Sequence, residues 1–261
     1  MTRLKSFSNE GMHRFFLGAA DGEQSVLTLE GREAHHALHA LRVRSGEPVV
    51  VLNGTGTSLN CEVTEVGRDR LELKVVEHVS VPPLPYEITL AQAIPKGKLF
   101  EEIIEKATEL GAHRIVPLLT QRTIPKWDVE EQANKLSRWK LVAIDAIKQC
   151  GSAWLPIIEA PMSVAQFAAF QSRVELPLVG SLAGGAQHPR TGFDGYHHEH
   201  RRKPRSLSVA IGPEGDFTPE ELGVLQAAGA RPITLGRLVL RTDTAAIYCL
   251  SVINHELQSR D

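Results

Sequence analysis

The 261-residue sequence predicts an α/β protein of two domains, a small mostly β module followed by a larger domain whose mostly parallel sheet is covered by helices on both faces. Two patterns carry this. Residues 48–77 read as strands joined by tight turns, whereas from Glu87 onward five short apolar runs, each followed by a turn, interleave with helix-length segments, as in a doubly covered parallel sheet. Between the two, "VSVPPLPYE" at 79–87 holds three prolines, each removing a backbone donor and stiffening the chain, which marks a boundary. The reading is therefore a β domain over 1–80, with 1–12 as an N-terminal extension, a linker over 81–87 and a second domain over 88–261.

Within the β module, "GREAHHALHALRV" gives one short helix with Ala34, Leu38 and Leu41 on one face. "PVVVLNGTGTSLNCEV" places a turn at Asn53 to Gly56 between two β runs, and "RLELKVVE" alternates afterwards. The second domain opens with the strand "EITLAQAI" and the helix "KLFEEIIEKATELG", apolar at 99, 100, 103, 107 and 110. The strand "RIVPLL" and a long helix from Asp128 to about Cys150 follow, and Gly111 and Gly151 stand where helix C-termini favour glycine. "ELPLVGSL", "SLSVAIGP" and "PITLG" are the remaining strands. Residues 183–206, "AGGAQHPRTGFDGYHHEHRRKPRS", break the pattern with glycine, histidine and arginine and read as a long loop between two strands.

Composition narrows the function. The longest apolar stretches are strand-sized, short of the roughly 20 residues a membrane helix needs, and polar residues rather than a signal h-region follow Met1, so a cytoplasmic protein without membrane contact is expected. Three cysteines, Cys61, Cys150 and Cys249, without CxxC spacing argue against a disulfide framework and a structural zinc site. His197, His198 and His200 match neither HExxH nor an i, i+4 pair, so no metal is expected and a solvated loop is the simpler reading. His35, His36 and His39 read the same way, with RNA backbone contact as the alternative. A formal net charge of -2 gives no global case for nucleic acid, so RNA contact must come from a local basic face. Arg14, Arg32, Arg42 and Arg44 in the first module, with Lys96 and Lys98 in "IPKGK", are the residues for it, ordinary surface charge being the alternative.

Ligands of open α/β sheets bind at the carboxyl ends of strands. Three late turns stand there: Gly180 to Gly185, Gly212 to Phe217, and Leu235 to Thr244. In the second, "AIGPEGDF", Thr218 is an N-cap, Pro219 suits the first helical position and Glu221 completes a capping box. Glu214 lies outside that cap and is either a solvated loop acid or part of a site. Its charge and the missing GK[ST] disfavour phosphate, and no GxGxxG occurs. A neutral or cationic ligand remains, with backbone groups of Ile211, Gly212 and Gly215 to bond it. In the third turn Thr242 or Asp243 caps the following helix, and Arg241 is either a surface ion-pair partner or a phosphate or base contact.

"IGPEGDFTPEEL" followed by "LGRLVLRTDTAA" resembles the paired motifs of the RsmE family of SPOUT (trefoil-knot) methyltransferases. "AQAIPKGKLFEEIIEKATELGAHRIVPLLTQRT" resembles the opening of that family's second domain, and "HRFFL", "HHALHALRVRSGE" and "VLNGTG" are similar to its N-terminal PUA-like β-barrel domain. The match runs in order from about His13 to Leu257. It implies a homodimer with a deep trefoil knot that uses S-adenosyl-L-methionine to methylate N3 of a uridine in 16S ribosomal RNA, free or in the assembled 30S particle. Carried over by position, the cofactor pocket is Leu178 to Leu182 (with Gly180), Ile211, Gly212, Pro213, Glu214, Gly215, Leu235, Gly236, Leu240, Arg241 and Thr242. A sulfonium cation suits carbonyls and a carboxylate, where a phosphate does not. Glu214 as base and Arg241 as charge stabiliser are the catalytic candidates.

The chain departs from the family pattern at Asp216, where a second glycine is expected after GPEG, at Leu238, where an arginine is usual, with Arg237 one place earlier, and at Ser152 in "QCGSAW". "VGSLAGG" also replaces a usual His-Pro turn. These departures leave two alternatives: a non-catalytic RNA-binding or ribosome-assembly protein that retains the fold, and a methyltransferase acting on another RNA position.

Overall fold

The computed structural model describes residues 11–18, 20, 24–122 and 127–259, so residues 1–10 of the expected extension lie outside the described residues. The chain divides into two compact units, one of residues up to Pro83 together with 147–155, the other of 84–146 together with 156–261. The three cysteines are free, and burial pushes the Cys61 and Cys249 thiols up to about 12.

In the first unit five strands pair in the order β1 (His13–Phe16), β3 (Pro48–Leu52), β4 (Thr57–Val66), β5 (Leu71–Ser80), β2 (Val26–Leu29), with β1 parallel to β3 and the other pairs antiparallel. The four-residue β1 and β2 carry too little alternation to stand out in the sequence, yet Phe15, Leu27 and Leu29 are core residues. The expected helix forms as α1 (Gly31–His35) and widens into a π-helical turn over His36–Leu41, so Ala34 and Ala37 are both fully buried while Leu38 and Leu41 pack at the edge. Arg42 closes it in the left-handed region (φ 55°).

The NGTGT turn is structural. Asn53 Oδ1 accepts from the N–H groups of Thr55 and Thr57 at 2.8 and 2.9 Å. Gly56 (φ +100°) has no room for a side chain, since a Cβ would stand 2.5 Å from the Trp154 ring. Ser152, one of the departures, shapes this corner: its hydroxyl accepts from Trp154 N–H at 3.1 Å. Arg14 donates to the carbonyls of Lys148 and Gln149 at 3.2 and 3.1 Å, satisfying orphan acceptors at a helix end, so the guanidinium expected to contact RNA is engaged within the fold.

The second unit holds seven strands, all pairs parallel, in the order β12 (Arg231–Ile233), β10 (Leu176–Gly180), β11 (Ser206–Ile211), β6 (Glu87–Ala93), β7 (Arg114–Leu119), β8 (Ile157–Ile158), with β9 (Met162–Ser163) also on β7. The central strands are buried almost throughout, which is why they read as mostly apolar runs, with Thr89, Gln92 and Ser208 buried among the apolar residues. The two-residue β8 and β9 are too short to be legible. Helices α2 (Leu99–Glu109) and α3 (Val129–Cys150) match the expectation closely, and Gly111 (φ +76°) closes α2 as its N–H donates to Thr108 O at 3.0 Å. The capping box at Thr218 starts α6 (Pro219–Ala227), and the buried Glu221 does double duty, accepting from Thr218 N–H at 3.0 Å and Gln121 N–H at 2.8 Å. The short α4 (Val164–Gln171), unforeseen, has a capping box of its own at Ser163 and Gln166.

The stretch 183–206, expected to be a loop, contains the helix α5 (Pro189–His200). Its buried residues Pro189, Gly192, Phe193 and Tyr196 fall at i, i+3, i+4 and i+7, a regular helical stripe hidden because half of it is proline and glycine. Pro189 sits at the tolerated first position, and a Cβ on Gly192 would already stand 3.4 Å from Leu178 Cδ2. The histidines occupy the exposed last turn. Glu175 anchors the end of α5, accepting from Arg202 Nη1 and Nη2 at 2.8 and 2.9 Å, from Tyr196 Oη at 2.9 Å and from Arg205 N–H at 2.7 Å. Arg202 first, then these N–H and O–H donors, hold its carboxyl down at about 2. A depressed folded-state value stabilises the fold above the ordinary carboxylate range and loses that contribution as pH falls from about 4.5 towards 2. Glu175→Gln is therefore expected to lower Tm at pH 7 and to narrow its gap to wild type on acidification to pH 3, as read by differential scanning calorimetry.

Candidate functional site

At the carboxyl ends of β10 and β11 and after β12, three turns enclose a cavity of about 440 Å³, within the roughly 300–1,000 Å³ of small-molecule sites. They are the three turns chosen from the sequence. Gly180, Leu182, Ile211, Gly212, Pro213, Glu214, Leu235, Gly236, Leu240 and Thr242 all line it. Four expected residues do not, counting Val179 of the Leu178 to Leu182 stretch, which is fully buried in β10. Leu178 is fully buried in β10, Gly215 is turned towards Arg122, whose Cδ stands 3.2 Å from the position of a Cβ, and Arg241 is exposed at the cap of α7 (Thr242–Gln258) outside the lining. Ser181, within the expected Leu178 to Leu182, lines it as well, and the structure adds Ala183, Thr234, Asp216, Arg237, Leu238, Val239 and Ala245. The departures Asp216, Arg237 and Leu238 are thus wall residues.

Neither Thr242 nor Asp243 caps α7. Arg241 holds the cap position and its side chain makes no cap hydrogen bond. Thr242 has a different task because it is buried: its hydroxyl donates to Gly212 O at 2.7 Å and accepts from Gln92 Nε2 at 2.8 Å. This strut runs from β6 through the start of α7 to the second turn and occupies the Gly212 carbonyl that the sequence offered to a ligand.

Asp216 ties two walls together. It stands in the left-handed region (φ 63°), a conformation that suits the glycine expected here and that aspartate tolerates. One carboxylate oxygen accepts from Leu182 N–H at 2.9 Å, in the first turn, and the other from Phe217 N–H at 2.8 Å. Asp216→Ala removes both acceptors and puts a residue without local hydrogen bonding in that conformation. Calorimetry is expected to show about a tenfold loss of affinity for S-adenosylhomocysteine, about 1.4 kcal/mol.

The other basic residues are spread over both units. Arg42 and Arg44 are exposed, Arg32 is exposed on α1, and Lys96 and Lys98 follow β6. Among the described residues no helix is long and apolar enough to cross a membrane.

A glycine-turn cavity at the ends of parallel strands, in a domain joined to a small β domain, defines a two-domain α/β protein with a small-molecule site, and the comparisons specify which. The family described as RNA methyltransferase domain matches residues 82–254, and the RNA methyltransferase PUA domain matches 29–76. Ribosomal RNA small subunit methyltransferase E from Synechocystis sp. is 33% identical over 90% of this chain and 75% of its own. The protein of that name from Mycobacterium bovis is 31% identical over 92% and 90%. Among solved structures, a methyltransferase from Legionella pneumophila in complex with SAM is 30% identical, with a TM-score of 0.82 over 93% of this chain and 96% of that one. Ribosomal RNA small subunit methyltransferase E from Neisseria gonorrhoeae, bound to S-adenosyl methionine, is 25% identical with a TM-score of 0.79 over 93% and 96%. The chain belongs to the RsmE family of RNA methyltransferases.

Proposed function

We propose that the protein transfers a methyl group from S-adenosyl-L-methionine to N3 of a uridine in 16S small-subunit ribosomal RNA, in the cytoplasm. The observation that carries this reading is the charge of the strand-end cavity: Glu214 and Asp216 line it against one cation, Arg237, and no lysine is present. Such a wall disfavours a phosphate-rich cofactor and suits a cationic one. Bound there, S-adenosyl-L-methionine supplies an electrophilic methyl group on sulfur.

The chain supplies the rest. The glycine turns at 180, 212 and 236 let backbone approach the ligand, and the Gln92–Thr242–Gly212 strut fixes the second turn before binding. Glu214, exposed at the cavity wall, accepts the N3 proton of uracil. The developing negative charge on the base is stabilised by Arg241 and the uncapped N-terminus of α7. We include a homodimer in the proposal: Leu182, Leu238 and Val239 line the cavity yet remain 63%, 78% and 74% exposed, apolar surface that a second copy would cover. The knotted threading implied by the family resemblance belongs to the same proposal.

The deciding experiment is mass-spectrometric mapping of ribosomal RNA from a strain lacking the gene. A single 3-methyluridine missing from 16S RNA and restored by the purified protein with S-adenosyl-L-methionine is the expected result. Loss of a different modification would change the target, and no loss would remove the activity.

A further inference from the structure

We propose that a second cavity in the same unit is a ribonucleotide subsite, which holds single-stranded RNA next to the reacting uridine; this rests on the RNA methyltransferase reading above. The cavity, about 530 Å³, lies at the carboxyl ends of β6 and β7. Its charge is opposite to that of the first: Lys96, Lys98, Arg122 and Lys135 line it against one acid, Glu101. Glu101 is already neutralised, its two oxygens held by Arg138 at 2.7 and 2.8 Å. Among the described residues none of the four cations closes a salt bridge, and Lys96, Lys98 and Arg122 are exposed. Unpaired cations converging on a concave surface attract phosphate.

Three aromatic residues, Phe100, Trp127 and Trp139, share the lining. Trp139, only 2% exposed, is fixed against Phe100 at 4.6 Å between ring centroids and backs Trp127 at 5.9 Å. Trp127 is half-buried and lines the cavity, with Lys135 Nζ 5.6 Å from its ring. A supported indole beside unpaired cations is how single-strand binding surfaces work: the phosphates follow the charge and a base stacks on the ring. A plain basic surface needs no indole.

The two cavities share a wall. Arg122 lines this one and donates to Asp216 O at 3.3 Å, while Asp216 lines the cofactor cavity and Gly215 gives Arg122 the space to pass. A strand whose uridine faces the methyl donor therefore has its neighbouring nucleotides at Arg122 and Trp127.

The test uses the full-length protein and a 5′-fluorescein-labelled octauridylate, titrated by fluorescence anisotropy at several salt concentrations. Trp127→Ala is expected to weaken binding about fivefold or more, and Trp127→Phe, which keeps a ring, to recover most of it. Lys96→Ala with Lys98→Ala is expected to weaken binding and to flatten the salt dependence by about 0.7 in slope for each phosphate left without its lysine. Affinity for S-adenosylhomocysteine should stay unchanged in every variant, since none of these residues lines the cofactor cavity. Wild-type affinity in Trp127→Ala beside weakened lysine variants would overturn the subsite in favour of an unspecific basic surface, and wild-type affinity in all of them would overturn it outright. Octauridylate binding that depends on Trp127, without any binding of S-adenosylhomocysteine, would uphold the subsite and sink the methyltransferase reading.

Discussion

Glu214→Gln is expected to lower the rate of 16S RNA methylation by about a hundredfold or more, the scale of losing a general base, while affinity for S-adenosylhomocysteine moves less than about threefold. Uracil N3 is a poor nucleophile until it loses its proton, so an acceptor beside it controls the chemical step. Glu214 is the exposed carboxylate of the cavity wall, whereas the other, Asp216, is committed to Leu182 and Phe217 N–H groups. The turn that presents it is rigid, because Asp216 N–H donates to Pro213 O at 2.8 Å and Thr242 holds Gly212 O. Glutamine has the same shape and cannot take the proton. Single-turnover rates against pH separate this from a structural effect: the variant should recover at high pH, where the uridine ionises by itself, and a misfolded turn should not. A rate within about threefold of wild type would remove Glu214 as the base.

The fold was legible wherever burial on both faces made a strand a mostly apolar run, as in β6, β7, β10 and β11, or where an amphipathic stripe was made of large residues, as in α2. It was hidden in α5, whose buried stripe uses Pro189 and Gly192, residues that ordinarily signal loops. The three site turns could be chosen because glycine after a strand has a backbone meaning. What lay beyond pattern was pairing across distance. Thr242 reads as a helix cap and serves instead as a strut to Gly212, 30 positions earlier, and Asp216 reads as a lost glycine and serves as a clamp on Leu182, 34 positions earlier. The aromatic support of Trp127 was equally invisible, since Phe100 and Trp139 come from different helices.

Gly212→Val is expected to weaken S-adenosylhomocysteine binding by about a hundredfold, close to the upper part of the roughly 1–3 kcal/mol range for overpacking. The requirement at this glycine is space rather than a left-handed backbone. A Cβ would stand 3.0 Å from Phe217 N, 3.1 Å from Asp216 Oδ1 and 3.2 Å from the Asp216 carbonyl carbon, and two of these three are backbone atoms. They have little freedom to yield. Phe217 N–H is bonded to Asp216, and the next residue, Thr218, is locked into the capping box that starts α6. Relief must come from displacing the whole 213–217 turn, which stretches the Asp216 bond to Leu182 and the Thr242 bond to Gly212 together, so both walls of the cavity move. Gly212→Ala, with no further methyl groups, should lose about tenfold. Gly223→Ala is the control: it lies in α6 with nothing within 4 Å of a Cβ, so it should leave calorimetric binding unchanged and raise Tm, a helical glycine costing about 0.5–1 kcal/mol relative to alanine. Binding by Gly212→Val within a few-fold of wild type, with its near-ultraviolet circular dichroism intact, would show that the second turn does not hold the cofactor.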